Sequence, residues 1–344
     1  MVQTNSHCGI LAEYFPKIRT REEILETIRS RPDLNDVFHQ WDTLQQEYFL
    51  DCCTGIRGMK ILYDGIFKEI FNPEVVPERL EDLLSLLLGH DVQIQAVLPN
   101  DSVRLGAESS LLYTDIIVQL EDGSLSDIEI QKIGYRFPGE RAACYSADHL
   151  LRQYKRVRGE KGKHFTYSSI KNVYTIVFFE KSPKELKNFP NDYLHKFTQK
   201  SDTGLTLELL QEYIFIGLDF FKKNMENKDI NTDLDAWLAF LSFDDPSRIV
   251  ELFTRYPSFK AMYQDIYDIC QNVEEVMNMY SKELAELDRN TVKLMIDELQ
   301  EELDQARDQV RILNEQARAQ NVQNEQKDAE LQALREEIAR LKAR

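Results

Sequence analysis

The sequence lacks most of what would mark a secreted, membrane-spanning or zinc-organised protein. Its five cysteines, Cys8, Cys52, Cys53, Cys144 and Cys270, are odd in number and match no zinc or redox spacing. That argues against a disulfide framework and reads as reduced thiols of a cytoplasmic protein. The six histidines are scattered, with none at ligand spacing from a cysteine. Long apolar runs are absent: LLSLLL at Leu83–Leu88 falls far short of the roughly 20 residues a bilayer span needs. The N-terminus has no basic start followed by an apolar run, so no secretory leader is expected. Positive charge is also scarce. Lys and Arg number 42 against 59 Asp and Glu, a net charge of −17. A whole-surface nucleic-acid binder is excluded by that balance, and any polyanion would have to be met by a local basic patch.

What is present is a patterned core. The 344 residues, 42% hydrophobic, suffice for one large domain with additions or for two domains. The stretch that organises the chain is LLYTDIIVQLEDGSLSDIEIQK, Leu111 to Lys132. It reads as two strands around Asp122-Gly123. Asp115 lies in the first strand. Asp127, Glu129 and Gln131 alternate in the second and so share one face. A two-residue loop would turn Glu129 away from Asp115. A three-residue loop, Glu121-Asp122-Gly123, pairs Leu120 with Ser124 and sets Asp115 opposite Glu129, with Gly123 at the left-handed position that loop requires. The three-residue loop is therefore expected. Charged groups in mid-strand need partners, for which a metal ion is the obvious candidate. A surface hairpin with a polar outer face is the other reading.

The remaining segments follow in order. Helices are expected over Arg21–Arg29 and from Asp33 or Asn35 to about Cys53, the latter with an apolar stripe of Val37, Trp41, Leu44 and Tyr48. Ile61–Phe71 reads as helix, and Asp64 and Lys68 share one face of it, as a solvated ion pair or as a carboxylate lent to a site. Glu78–Leu88 is a helix ending at Gly89, and Val92–Leu98 a strand. Gly139–Val157 is a helix on which Arg141 and Tyr145 stand one turn apart. It leads into RQYKRVRGEKGKH, where Arg152, Lys155, Arg156, Arg158, Lys161 and Lys163 face a single acid, Glu160. This is the chain's clearest anion-binding candidate, although basic residues also suit a solvated helix end. Tyr154, Phe165 and Tyr167 are placed to stack on bases or to join the core. Asn172–Glu180 and Tyr213–Phe221 read as buried strands, and Leu234–Leu287 as helices. The whole implies an α/β fold with a mixed sheet flanked by helices. The expected organisation is a helical extension over residues 1–60, a core over 61–225, a helical bundle over 226–290 and a coiled coil over 291–344.

The coiled coil rests on an unbroken seven-residue repeat. One set of positions is Ile296, Leu303, Val310, Ala317, Asn324, Leu331 and Ile338, and the other runs from Leu299 to Leu341. Asn324 at an a position favours two parallel strands in register. The pairs Glu302–Arg307, Glu330–Arg335 and Glu337–Lys342 are each attractive in that arrangement. A parallel homodimer through residues 296–341 is expected.

Residues Leu62 to Glu180 resemble the PD-(D/E)XK nuclease superfamily, in the branch of recombination-promoting nucleases and putative transposases. The resemblance lies in an ordered set: YDGIFKEIF (Tyr63–Phe71), Asp115, Glu129-Ile130-Gln131, Arg141, Tyr145 and NVYTIVFFE (Asn172–Glu180). It implies a restriction-endonuclease-like core and a metal-dependent DNA endonuclease active in transposition or recombination of mobile DNA. By the same resemblance Asp115 and Glu129 would hold Mg²⁺ or Mn²⁺. Gln131 stands where the superfamily usually has lysine; its amide orients a water or phosphate but supplies no positive charge. Asp64 would add a carboxylate from the entry helix, Asp127 a further ligand, and Arg141, with Tyr145 beside it, would bind the scissile phosphate. The alternative is a nuclease fold kept as a DNA-binding or scaffolding protein that works through its coiled coil.

Overall fold

The computed structural model describes residues 9–98, 116–131 and 138–288, with further positions between 295 and 320. The chain divides into two units, Met1–Asp288 and Arg289–Arg344.

In the first unit the strands are β1 (Ile94–Val97), β2 (Ile116–Leu120), β3 (Leu125–Gln131), β4 (Val173–Phe179), β5 (Leu194–Phe197) and β6 (Gln211–Gly217). They form one sheet in the order β1-β2-β3-β4-β6-β5. β3, β4 and β6 run parallel, while β1–β2, β2–β3 and β5–β6 are antiparallel. The mixed sheet flanked by helices is the expected fold. β5, four half-exposed to exposed residues at the edge, gives too short a signal to read from the sequence.

Among the described residues the helices flanking the sheet are α1 (Arg21–Ser30), α2 (Pro32–Gln40), α3 (Thr43–Cys53), α4 (Asp64–Ile70), α5 (Pro77–Leu88), α6 (Pro138–Lys161), α7 (Leu218–Asn224), α8 (Asp233–Ser242), α9 (Pro246–Arg255) and α10 (Ser258–Ile269). Residues 273–288 add another, α11. Two expectations need correction. The helix expected from residue 33 to 53 is broken at Trp41 and Asp42. The Asp42 side chain accepts from Gln45 N at 2.8 Å while Gln45 returns the bond, a capping box that starts α3 afresh. That break throws Leu44 out of the expected stripe, and it is 81% exposed. The run Tyr213–Phe221 is strand only to Gly217, after which α7 begins.

One large apolar core fills one side of the sheet. It joins Val118, Ile128, Ile176, Phe178, Ile214 and Ile216 to Phe67 and Leu84 of the early helices and to Phe240 and Tyr267 of the late ones. α6 covers the other side as the crossover from β3 to its parallel neighbour β4. The core there is small, with Ala142, Val177, Phe179, Leu186 and Phe215.

The second unit is helical at its described positions, including 309–314. Leu299, Leu303, Val310 and Leu313, four apolar members of the heptad pattern, are exposed on the single chain. Ala306 and Gln320 of the repeat are exposed as well, and its remaining positions lie outside the described residues. Among the described residues no helix is long and apolar enough to cross a membrane.

Candidate active site

The hairpin sets the site. Ile116 pairs with Ile128, Ile117 with Asp127, Val118 with Ser126 and Gln119 with Leu125. Leu120 N donates to Ser124 O at 2.9 Å, and Gly123 has φ +87°. This is the register of the three-residue loop, closed by the residue that tolerates a left-handed backbone. The Asp122 carboxylate locks the turn by accepting from Ser124 N at 2.8 Å and Ser124 Oγ at 2.5 Å. Asp115, one residue before β2, lies outside the described residues, as does Lys132.

β3 alternates as its sequence demands. Ile128 faces the large core, while Asp127, Glu129 and Gln131 turn to the α6 side, at 0%, 4% and 7% exposure. Burying two carboxylates and an amide is costly unless something compensates. Part of the compensation comes from α6, which runs antiparallel to β3 and lays a polar stripe along it. Arg141 Nη2 lies 3.2 Å from Glu129 Oε1, and its Nε donates to the Tyr145 hydroxyl at 2.7 Å. One turn on, His149 Nε2 comes within 3.2 Å of Asp127 Oδ2, at an angle too poor for a hydrogen bond. A further turn on, Gln153 Oε1 accepts from Lys171 N at 2.6 Å. Both Asp127 oxygens and the Thr175 hydroxyl beside them are buried with no hydrogen bond. Burial raises the Asp127 carboxyl above its ordinary range, with His149 pulling it back. Burial also raises the Tyr145 phenol, the Glu129 charge adding to the effect and Arg141 opposing it. Tyr145 is therefore a neutral hydroxyl at physiological pH.

Arg141, Tyr145 and Glu129 thus come together at the end of β3, and Gln131 lies buried on the same face of that strand. His149, Gln153 and Thr175 were not anticipated. The signal for the first two was present: the four-residue spacing that picked out Arg141 and Tyr145 continues unbroken to residues 149 and 153.

A model of the PD-(D/E)XK nuclease family transposases matches residues 61–295. The chain belongs to that family. No curated protein and no solved structure matches it.

In this family member the oxygen donors on β3, with two unsatisfied buried carboxylate oxygens, suit a hard divalent cation. Among the described residues no three His, Cys, Asp or Glu side chains converge to hold one. Asp64 pairs with Lys68 at 2.5 Å, with half its side chain exposed. Its backbone N–H donates to the buried Glu283 carboxylate of α11 at 2.8 Å, which caps a helix that has no side-chain cap of its own. α4 nevertheless starts at the Gln131 end of the sheet. Lys60, four residues earlier, is ion-paired with Glu180, whose N–H donates to Gln131 O at 2.9 Å. The basic run occupies the other end of α6. Arg152 is ion-paired with Asp148 at 2.7 Å, whereas Lys155, Arg158, Lys161 and Lys163 are exposed and Arg156 half-exposed.

Proposed function

We propose that this protein is a metal-dependent DNA endonuclease that hydrolyses phosphodiester bonds in the transposition or recombination of mobile DNA. The observation that carries the reading is the buried acidic face of β3, held under an arginine and a neutral tyrosine in a sheet of the family's architecture. An apolar face of equal size would be more stable, so the carboxylates are retained for chemistry. Asp115 and Glu129 would hold Mg²⁺ or Mn²⁺, with Asp127 beside them. The ion would supply Lewis acidity and lower the pKa of a bound water.

The chain's own groups supply the rest. Arg141, half-exposed and already against Glu129, is the group to receive a phosphate oxygen through its forked donors. Tyr145 holds the guanidinium from behind. Gln131 orients a water or phosphate oxygen through its amide, and leaves Arg141 as the nearby positive charge. Lys155, Arg156, Arg158, Lys161 and Lys163, with Arg152 beside Asp148, would bind flanking DNA phosphates. Two chains joined through parallel pairing of residues 296–341 would bring two such cores, each about 61–225, to one duplex.

The test is nicking of supercoiled plasmid by purified full-length protein with and without Mg²⁺. Asp115→Ala and Glu129→Ala should each abolish Mg²⁺-dependent nicking. Unchanged cutting by both variants would sink the metal-site assignment, and no Mg²⁺-dependent nicking by the wild type would leave a nuclease fold acting as a DNA-binding scaffold. Truncation after Asp288 should give a monomer by light scattering that nicks but makes few double-strand breaks. A truncated protein that stays dimeric would remove the tail from this account.

A further inference from the structure

The far end of α6 gathers side chains that phosphodiester cleavage does not use. Tyr154 on the helix and Tyr167 on the following loop lie with ring planes 11° apart and centroids 6.1 Å apart. Phe165 sets its edge against both, at 5.5 Å and 5.4 Å. The Arg158 guanidinium sits 5.6 Å from the Tyr154 ring centroid and donates to its hydroxyl. Lys161 Nζ donates to Ser169 Oγ at 3.1 Å, tying the loop to the helix.

A cluster built only to fasten the loop would cover its outer ring. Tyr167 is instead 75% exposed. An aromatic face in water beside several cations is a costly surface with nothing apolar to cover it. It suits a ligand that is itself a flat ring joined to an anion: a nucleobase on its phosphate backbone. The surrounding charge agrees. Residues 152–164 carry six basic residues and one acid, in a chain whose net charge is −17.

We propose that Tyr167, backed by Tyr154 and Phe165, is a stacking platform for unpaired DNA bases, with Lys155, Arg158, Lys161 and Lys163 holding the adjoining phosphates. The proposal rests on the reading of the protein as a DNA-acting enzyme and narrows its substrate. Bases inside a duplex offer no free face, so the platform selects DNA with an unpaired stretch: an overhang, a frayed end or a displaced strand. Tyr154 lies thirteen positions along α6 from Arg141, ~20 Å at the helical rise. At about 3.4 Å per paired step this is roughly six nucleotides. The substrate is then a junction, with its unpaired stretch at the platform and the cut about six steps away.

The experiment measures binding by full-length protein in EDTA, using fluorescence anisotropy. The probes are a labelled thymidine oligonucleotide of about 20 nucleotides and a blunt duplex of the same length. Tyr167→Ala should weaken binding of the single strand roughly ten- to a hundredfold, the value of a base–aromatic stack. Duplex binding should change by less than about twofold. Tyr167→Phe keeps the ring and should bind both as the wild type does. Photocrosslinking of an oligonucleotide containing 5-iododeoxyuridine should mark residues 154–167. Undiminished single-strand binding by Tyr167→Ala, equal losses on both DNAs, or crosslinks only outside that segment would overturn the platform. If the wild type shows no Mg²⁺-dependent nicking in the separate assay, the nuclease reading fails while the platform stands on its own binding data.

Discussion

The two faces of the sheet are written by alternate residues of the same strands, yet they obey different rules. On β3, β4 and β6 the residues Ile128, Ile176 and Ile214 point into one apolar core. Their neighbours Asp127 and Thr175 point the other way and are just as deeply buried, both at 0% exposure. Burial therefore does not separate core from site in this protein; satisfaction does. The first face needs only volume and shape. The second holds charges and hydroxyls that the fold leaves partly uncompensated, a cost of the kind that protein structures bear where chemistry is done.

The sharpest way to test that difference is to change adjacent residues of β3. Glu129→Ala should lower Mg²⁺-dependent nicking at least about a thousandfold, since a lost metal carboxylate removes several kcal/mol of transition-state stabilisation. Its melting temperature should be unchanged or higher. Ile128→Ala should do the reverse. It opens a cavity in the large core and should cost about 2–5 kcal/mol of stability, with the rate per folded molecule retained. Urea unfolding and plasmid nicking on both variants read the two effects. If both variants lose stability and activity together, the faces are not functionally distinct.

Much of this was readable in the residues because local rules and tertiary structure agree there. The alternation in Ser124–Gln131 and the single glycine at the left-handed turn position dictate the register. Arg141 and Tyr145, four apart on a helix, must share a face. The failures fall where two local rules compete. Between residues 33 and 53 the apolar stripe argues for one helix, and the cap at Asp42 overrides it. In Tyr213–Phe221 the apolar run cannot tell strand from buried helix, and the change comes at Gly217. His149 was missed for another reason. Its place one turn after Tyr145 is legible in the spacing, but its partner Asp127 emerges only once β3 lies beneath the helix.

A smaller effect is expected at Asp127. Burial raises its carboxyl above the unfolded value. Such a group stabilises the fold only below the unfolded range near ~3.9, and that contribution is lost as pH rises through the higher folded value. At neutral pH the wild type carries the cost of this buried acid, partly offset by His149. Asp127→Asn should therefore be about 1–2 kcal/mol more stable than the wild type at neutral pH in EDTA. The gap should close as the buffer is taken down towards pH 4. Nicking should fall at the same time, since the gain comes from the polar face. Urea unfolding across that pH range measures it, and a variant less stable than the wild type at neutral pH would show that His149 already compensates the charge in full.

The smallest change expected is also the one that asks most of the polar face. Gln131 is 7% exposed at the end of β3, on the same side as Glu129 and Asp127. Two acidic residues there meet one arginine and one histidine. A lysine at position 131 would enter a site with carboxylates within reach, so its ammonium need not be buried unpaired. It would also supply beside the phosphate the positive charge that an amide lacks. Gln131→Lys should accordingly keep the nicking rate or raise it by up to about tenfold, which is about 1.4 kcal/mol in the barrier. The substitution on the opposite face, Ile130→Lys, places the same charge against the large core, where Ile130 packs. It should destabilise the protein with no gain in rate. A loss of cutting in Gln131→Lys, in a variant that melts with the wild type, would mean that the amide has a role of its own and does not merely stand in for an absent lysine.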